Sequence, residues 1–235
     1  MGNLFFVSNT DKFERNDIAV FENYSDDYMS PIEEEPGKWK KKWMRMVYRM
    51  VAYSGDNIEL RDGDLYINGT NIPPPPSSKT EYEMRAKHGP LTGMDEEQLS
   101  AAQVLGKADT AIYMIELTYQ KAEELRKNPA VFSVKRKIYP RSINSNYEMA
   151  ESSAVDDWTL DNYGPIKIPA PGEKIVVTTA NLSLYKNIPG IEKPGEYTIK
   201  EKLYFMLGDN RHAAMDSRFI GFISHSKMIG IVKMK

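Results

Sequence analysis

Over the first seventy residues, apolar positions come in short runs bounded by polar turns. The runs at 4–7, 18–21 and 43–53 are rich in β-branched, aromatic and other apolar side chains, and each predicts a strand. The clearest local pattern follows them. Ile58 and Leu60 alternate with polar neighbours, Asp62-Gly63 supplies a turn, Leu65 and Ile67 alternate on the return, and Asn68-Gly69 marks the next turn. Asp-Gly and Asn-Gly tolerate the positive φ that tight hairpin turns demand, so residues 57–69 predict a hairpin.

Four prolines at 73–76 then stop regular structure, because proline has no amide N–H to give a ladder. Beyond them the periodicity changes. Leu99, Ala102 and Leu105 are helically spaced behind an acidic first turn and ahead of Gly106, so residues 95–105 are expected to be a helix. Residues 111–117 predict a strand, 119–127 a short helix ended by Asn128-Pro129, and 131–138 a further strand. This βαβ-like unit suggests a small insertion lobe. Residues 142–157 are polar and read as a loop. Strands resume after Pro165, and the chain closes with 197–207, a Gly-Asp-Asn-Arg turn, 219–223 and 228–234.

Length and composition narrow the function classes. A chain of 235 residues, 41% hydrophobic and 27% charged, buries a real core as one domain or a domain with a large insertion. A net charge of -2 argues against a nucleic-acid surface. One basic run, 38–42 with Trp39 and Trp43 interleaved, reads either as a solvated charge run or as a patch that touches anionic lipid headgroups. The absence of cysteine excludes disulfides, thiolate metal sites and cysteine nucleophiles. No histidine and carboxylate set has metal-ligand spacing, so no metal or other cofactor is expected. No apolar run reaches the ~20 residues of a membrane helix. Residues 1–7 lack the pattern of a signal peptide, and the chain is expected to be a piece trimmed of an upstream segment.

The densest chemistry lies at 208–222. As a plain surface turn, this stretch would need only Gly208 for its geometry and Asp209 and Asn210 as caps. Yet Asp209, Arg211, Asp216 and Arg218 stand between two apolar strands, and charges close to a core need partners. The four are therefore expected to form a salt-bridge network.

Here the chain resembles type I signal peptidases, the serine endopeptidases that remove leader peptides from exported proteins. That family's C-terminal block runs Gly-Asp-Asn-Arg, a spacer containing serine, Asp-Ser-Arg, an aromatic pair and glycine. Gly208, Asp209, Asn210 and Arg211, then Asp216, Ser217 and Arg218, stand at those positions. Further blocks occur in the family's order. Glu14-Arg15-Asn16-Asp17-Ile18-Ala19-Val20-Phe21 is similar to its Arg-Gly-Asp-Ile-Val-Val-Phe strand. Tyr48-Arg49-Met50-Val51-Ala52-Tyr53-Ser54-Gly55-Asp56 is similar to its Lys-Arg-x-x-Gly-x-x-Gly-Asp strand. Asp161-Asn162-Tyr163-Gly164-Pro165 and Asn181-Leu182-Ser183-Leu184-Tyr185 resemble segments of one bacterial branch.

The resemblance implies a mainly β, β-rich α+β fold. Its core of antiparallel sheets would use residues 1–72 and 190–235, with an α/β insertion lobe at 73–189. It implies a Ser/Lys dyad, in which a buried lysine of lowered pKa takes the proton of a nucleophilic serine and backbone N–H groups bind the oxyanion. The serine belongs to a Ser-Met-x-Pro-Thr segment ahead of the 2–7 strand, where this chain has no counterpart; Ser8 follows that strand instead. The lysine position holds Tyr48, beside the matching Arg49, and the helper-serine position holds Ala214. A phenol with a reference pKa near ~10 is a poor base at neutral pH. Of the histidines, His212 is expected to be exposed, and His88 and His225 to be solvated in loops. Lys40, Lys41 and Lys42 lie ~20 Å or more along the strand from Tyr48.

A leader peptide would add to a sheet edge in a cleft lined by Ile18, Ala19, Val20, Phe21, Met50 and Val51. Three readings follow: a relative that keeps the cleft and has lost catalysis, binding exported chains or regulating an active paralogue; an active peptidase with an upstream serine and a non-standard base; or an interaction module built on the lobe. The resemblance places the domain on the extracytoplasmic, periplasmic face of the cytoplasmic membrane, near its surface and anchored by an upstream helix.

Overall fold

The computed structural model describes residues 5–8, 10–24, 32–35, 38–40, 43–87, 94, 103–105, 110–141 and 158–234. In chain order the first strands are β1 (Phe5–Ser8), β2 (Ile18–Tyr24), β3 (Ile32–Glu35), β4 (Lys38–Lys40) and β5 (Trp43–Tyr53). The hairpin region gives β6 (Asn57–Arg61), β7 (Asp64–Ile67) and β8 (Thr70–Ile72), and the next region β9 (Lys79–Lys87), β10 (Gln103–Leu105), β11 (Thr110–Thr118), helix α1 (Tyr119–Arg126) and β12 (Val131–Arg136). Then come β13 (Tyr163–Lys167), β14 (Lys174–Val177), α2 (Leu182–Tyr185), β15 (Gly195–Thr198), β16 (Leu203–Leu207), α3 (Ser217–Ile220), β17 (Ile223–Ser224) and β18 (Met228–Met234). The protein is mainly β. Its largest sheet has the order β1-β18-β2-β5-β16-β17, with every described pairing antiparallel.

The hairpin forms where its turn residues dictate. Asp62 and Gly63 have φ of 48° and 78°, and Asn68 and Gly69 have φ of 52° and 80°, the pair of positive values that lets a two-residue loop follow the strand twist. The register pairs Ile58 with Ile67 and Leu60 with Leu65. All four are buried, so the apolar alternation becomes one core face.

Within the four-stranded sheet β10-β11-β9-β12, β9 is antiparallel to both neighbours, so β11 and β12 run parallel with β9 between them. The βαβ-like pattern is thus a split unit, with α1 as its crossover. Thr118 caps α1 by accepting from the Lys121 amide, and Ala122 and Leu125 bury against a core that includes Tyr82, Met84 and Ile115.

Three expectations are corrected. Gln103–Leu105, expected to end a helix, is a strand paired with β11, while residues 95–102 lie outside the described residues. The run 197–207 divides into β15 and β16, with the Leu203 amide donating to Ser54 Oγ where β16 begins. The run 219–223 begins in the short helix α3 and reaches a strand only at Ile223, because Asp216 caps the helix and Gly221, at φ 77°, ends it. Residues 142–157, His88, Lys41 and Lys42 lie outside the described residues.

Two hydrophobic clusters result. The larger joins β2, β5, the hairpin and β16 to residues between Trp158 and Ile191; the smaller is drawn from Tyr82 to Val134. The stretch 73–189, expected as a lobe, therefore contributes to both.

Candidate functional site

Where β16 ends, the chain turns at Gly208 across the face of β5. A Cβ at Gly208 would lie 2.2 Å from the Ala214 Cβ and 3.3 Å from the Tyr48 ring. Glycine is required here by close approach, since only a bare α-carbon lets both neighbours in. Tyr48 and Ala214, far apart in sequence, therefore meet over one backbone atom. The Tyr48 ring also packs beside Phe21, with centroids 6.1 Å apart. Burial pushes the Tyr48 phenol up, the Asp216 charge adds to the rise, and the Met215 amide and Arg218 oppose it. A phenol in this setting keeps its proton at neutral pH and gives no general base.

Two ion pairs frame the turn. Asp216 accepts from Arg218 Nε and Nη2, both at 2.8 Å, and from the Gly208 amide at 2.9 Å. Arg218 reaches the Leu160 carbonyl at 2.8 Å and the Arg211 carbonyl at 2.6 Å, with both side chains of the pair fully buried. Ser217 Oγ accepts from the Met206 amide at 2.9 Å, beside a register shift in the β16–β5 ladder. Arg49 holds Asp209 through Nε and Nη2 at 2.8 and 2.7 Å, and its Nη1 donates to the Asn16 carbonyl. β5, the turn and the α3 cap are thereby fixed to one another by charge-assisted bonds.

The expected four-member network is corrected on one point. It resolves into the pairs Arg49–Asp209 and Asp216–Arg218, and Arg211 joins neither. The Arg211 side chain is buried, and its Nη1 has no hydrogen-bond partner among the described residues. Asn210 donates to Glu116 Oε1 at 2.6 Å.

His212 is not exposed. Its side chain is 3% accessible, because β9 crosses the turn: the Lys79 amide donates to the Asp209 carbonyl and the Arg211 amide to the Lys79 carbonyl. The Glu81 amide donates to His212 Nδ1, so Nε2 carries the hydrogen and faces both Asp161 oxygens at 3.0 Å. Thr80 Oγ1 lies 3.1 Å from the same nitrogen. A nucleophile–base relay needs hydroxyl and carboxylate on opposite ring nitrogens, so this cluster positions elements and does not activate Thr80. His225 is likewise half-buried, bonded through Nδ1 to the Tyr204 hydroxyl at 2.9 Å and edge-on to Phe13. Ser8 pairs with Ile231 across β18. Among the described residues, no group of three or more His, Asp or Glu side chains could hold a metal ion.

The expected cleft is also altered. Ala19, Val20, Phe21, Met50 and Val51 are buried, with only Ile18 substantially exposed at 37%. β2 lies between β18 and β5, so Ala19, Val20 and Phe21 are already paired on both sides. Beside Tyr48, an open edge lies on β5. β16 pairs with β5 from Arg49 to Tyr53, and on that side residues 43–48 have no strand partner among the described residues. The sequence reading missed this edge and the His212–Asp161 contact, because neither is encoded locally.

Among the described residues, no helix is long and apolar enough to cross a membrane. No curated protein matches the chain. A family description, signal peptidase, peptidase S26, matches residues 1–235. The match covers the hairpin, the lobe and the Gly208 turn alike, and not the C-terminal motif alone: the chain belongs to the signal peptidase family.

Proposed function

We propose that this chain is an extracytoplasmic signal peptidase-like domain that holds the leader peptides of exported proteins without cleaving them. The observation that carries this reading is the convergence of Tyr48 and Ala214 on Gly208. These are the positions where the family resemblance implies the lysine base and its helper serine. A protonated phenol cannot accept a serine proton at neutral pH, and a methyl group cannot orient an amine. The open edge of β5 at 43–48 ends at Tyr48, so an extended peptide added there would lie beside the altered dyad. A peptide held in this way could be delivered to an active paralogue or withheld from it. Attachment near the membrane's outer surface is part of the same proposal.

The test is cleavage and binding of a leader peptide by the natural full-length protein. Wild type is expected to leave the peptide intact yet bind it saturably. A peptide N-methylated along its backbone is expected to bind at least ~10-fold more weakly, having lost main-chain donors. Cleavage by wild type would overturn the inactive reading, and the absence of saturable binding would overturn the peptide-holding one. Cleavage gained by Tyr48→Lys combined with Ala214→Ser would assign the lost dyad to these two positions.

A further inference from the structure

We propose that the loop between β7 and β8 is a spontaneous modification site: Asn68 loses its side-chain amide to attack by the Gly69 backbone nitrogen, and the acid that forms breaks the hairpin's tie to the end of β5. This inference does not depend on whether the protein holds or cleaves peptides. Asn68-Gly69 is the only Asn-Gly pair in the sequence. Glycine leaves the attacking nitrogen unshielded, and both residues are exposed in the loop. An added Cβ at Gly69 would meet nothing within 4 Å, and no described backbone bond uses the Gly69 amide. In the reaction the Gly69 nitrogen bonds to Asn68 Cγ and gives up its proton, and Nδ2 leaves as ammonia. Water then opens the succinimide ring to aspartate or isoaspartate. Only water is consumed.

The same side chain is a structural tie. Asn68 Oδ1 accepts from the Asn57 amide and Nδ2 donates to Asp56 Oδ1, both at 2.8 Å. Asp56 is 6% exposed, and its Oδ2 accepts from the Tyr53 amide and from Arg15 Nη2, both at 3.0 Å. Arg15 also reaches the Val51 carbonyl at 2.6 Å. Asp56 thus joins the end of β5 to the β7–β8 loop through Asn68. Loss of the amide replaces a donor with a carboxylate that faces Asp56 across the same gap. One bond to a charged group is lost, and two like charges meet beside a buried position. Isoaspartate also lengthens the main chain of a two-residue loop held at φ 52° and 80°. Asp56 must release Nδ2 before it can leave, so the tie that the reaction destroys also sets its pace.

The experiment holds the folded chain at mildly alkaline pH, follows each asparagine by peptide mass mapping and isoaspartate labelling, and then measures thermal unfolding. Asn68 is expected to be the first described asparagine to convert, and the converted protein to unfold about 3 °C or more below fresh protein. Asn68→Asp is expected to show a similar deficit without ageing. Asn68→Gly keeps the positive φ and loses the tie without adding a carboxylate, so its Tm is expected to lie between the two. An Asn68 that persists while another described asparagine converts would overturn the reactive site. Converted protein or Asn68→Asp with the Tm of fresh wild type would overturn the tie, and Asn68→Gly as low as Asn68→Asp would overturn the repulsion. Should Asn68→Asp not fold, the converted wild type decides the same point.

Discussion

At Gly208 a single hydrogen in place of a methyl group decides whether the site can close. Alanine there would place its Cβ 2.2 Å from the Ala214 Cβ, far inside van der Waals contact, and crowd the Tyr48 ring at 3.3 Å. Gly208→Ala is therefore expected to destabilise the protein by about 1–3 kcal/mol, as overpacking does. Ala214→Gly removes the atom that the new methyl would meet. The double variant should recover about 1 kcal/mol or more relative to the sum of the single changes, read from urea unfolding midpoints. Strict additivity would mean that the two residues do not touch. Tyr48, Ala214 and the charged residues of the turn were legible in the sequence, but their pairing was not. Asp209 could equally have met Arg211 or Arg218; Arg49 takes it instead, from 160 residues away. Local reading cannot see a partner delivered by another strand, so it could not foresee that Arg211 would be left over.

Elements were legible where local chemistry settles the backbone and illegible where burial does. The hairpin β6–β7 followed from Asp62-Gly63 because only residues tolerant of positive φ fit that loop. The run after Ser217 is apolar enough for strand or helix, and the Asp216 cap with the Gly221 stop chose a helical turn. The open edge of β5 depends on where β16 stops, which no feature of β5 itself reveals. The two hairpin glycines give a test at this scale. Gly69, at φ 80°, has nothing within 4 Å of an added Cβ, so Gly69→Ala should cost only left-handed strain, about 1 kcal/mol. Gly63, at φ 78°, would place the same atom 2.9 Å from Asp161 Oδ1. Asp161 also receives His212 and the Tyr139 amide, so Gly63→Ala should disturb the docking of the hairpin on that cluster. Its cost is expected to exceed that of Gly69→Ala by about 1 kcal/mol or more in urea unfolding. Equal costs would show that the hairpin tip and Asp161 are not in contact.

Across the whole molecule, two hydrophobic clusters meet at a polar seam. The Lys79 backbone bonds on both sides to the Gly208 turn, Arg136 reaches Asp64 at 2.8 Å, and His212 joins β9 to Asp161. The seam escaped the sequence reading because His212 and Asp161 are separated by 51 positions and neither belongs to an apolar pattern. Charged and hydrogen-bonded groups buried along it should make the two clusters unfold together, since opening either would strand those groups. One tyrosine in each cluster reports on this. Burial raises Tyr82, in the smaller cluster, to about 12, and burial followed by the Glu201 charge raises Tyr204, in the larger, to about 12. An unfolded tyrosine ionises near ~10. Below pH 10 both states hold these protons, and between pH 10 and about 12 the folded state holds more. Stability should therefore be fully retained below that window and fall as pH rises through it, by about 1.4 kcal/mol per pH unit for each such group. Tyr82→Phe and Tyr204→Phe should each flatten the fall by that amount, whatever constant offset the lost hydroxyl adds. Both should do so in a single transition, followed by circular dichroism and tyrosinate absorbance together. Two separate transitions, with Tyr82→Phe altering only one, would mean that the seam does not couple the clusters.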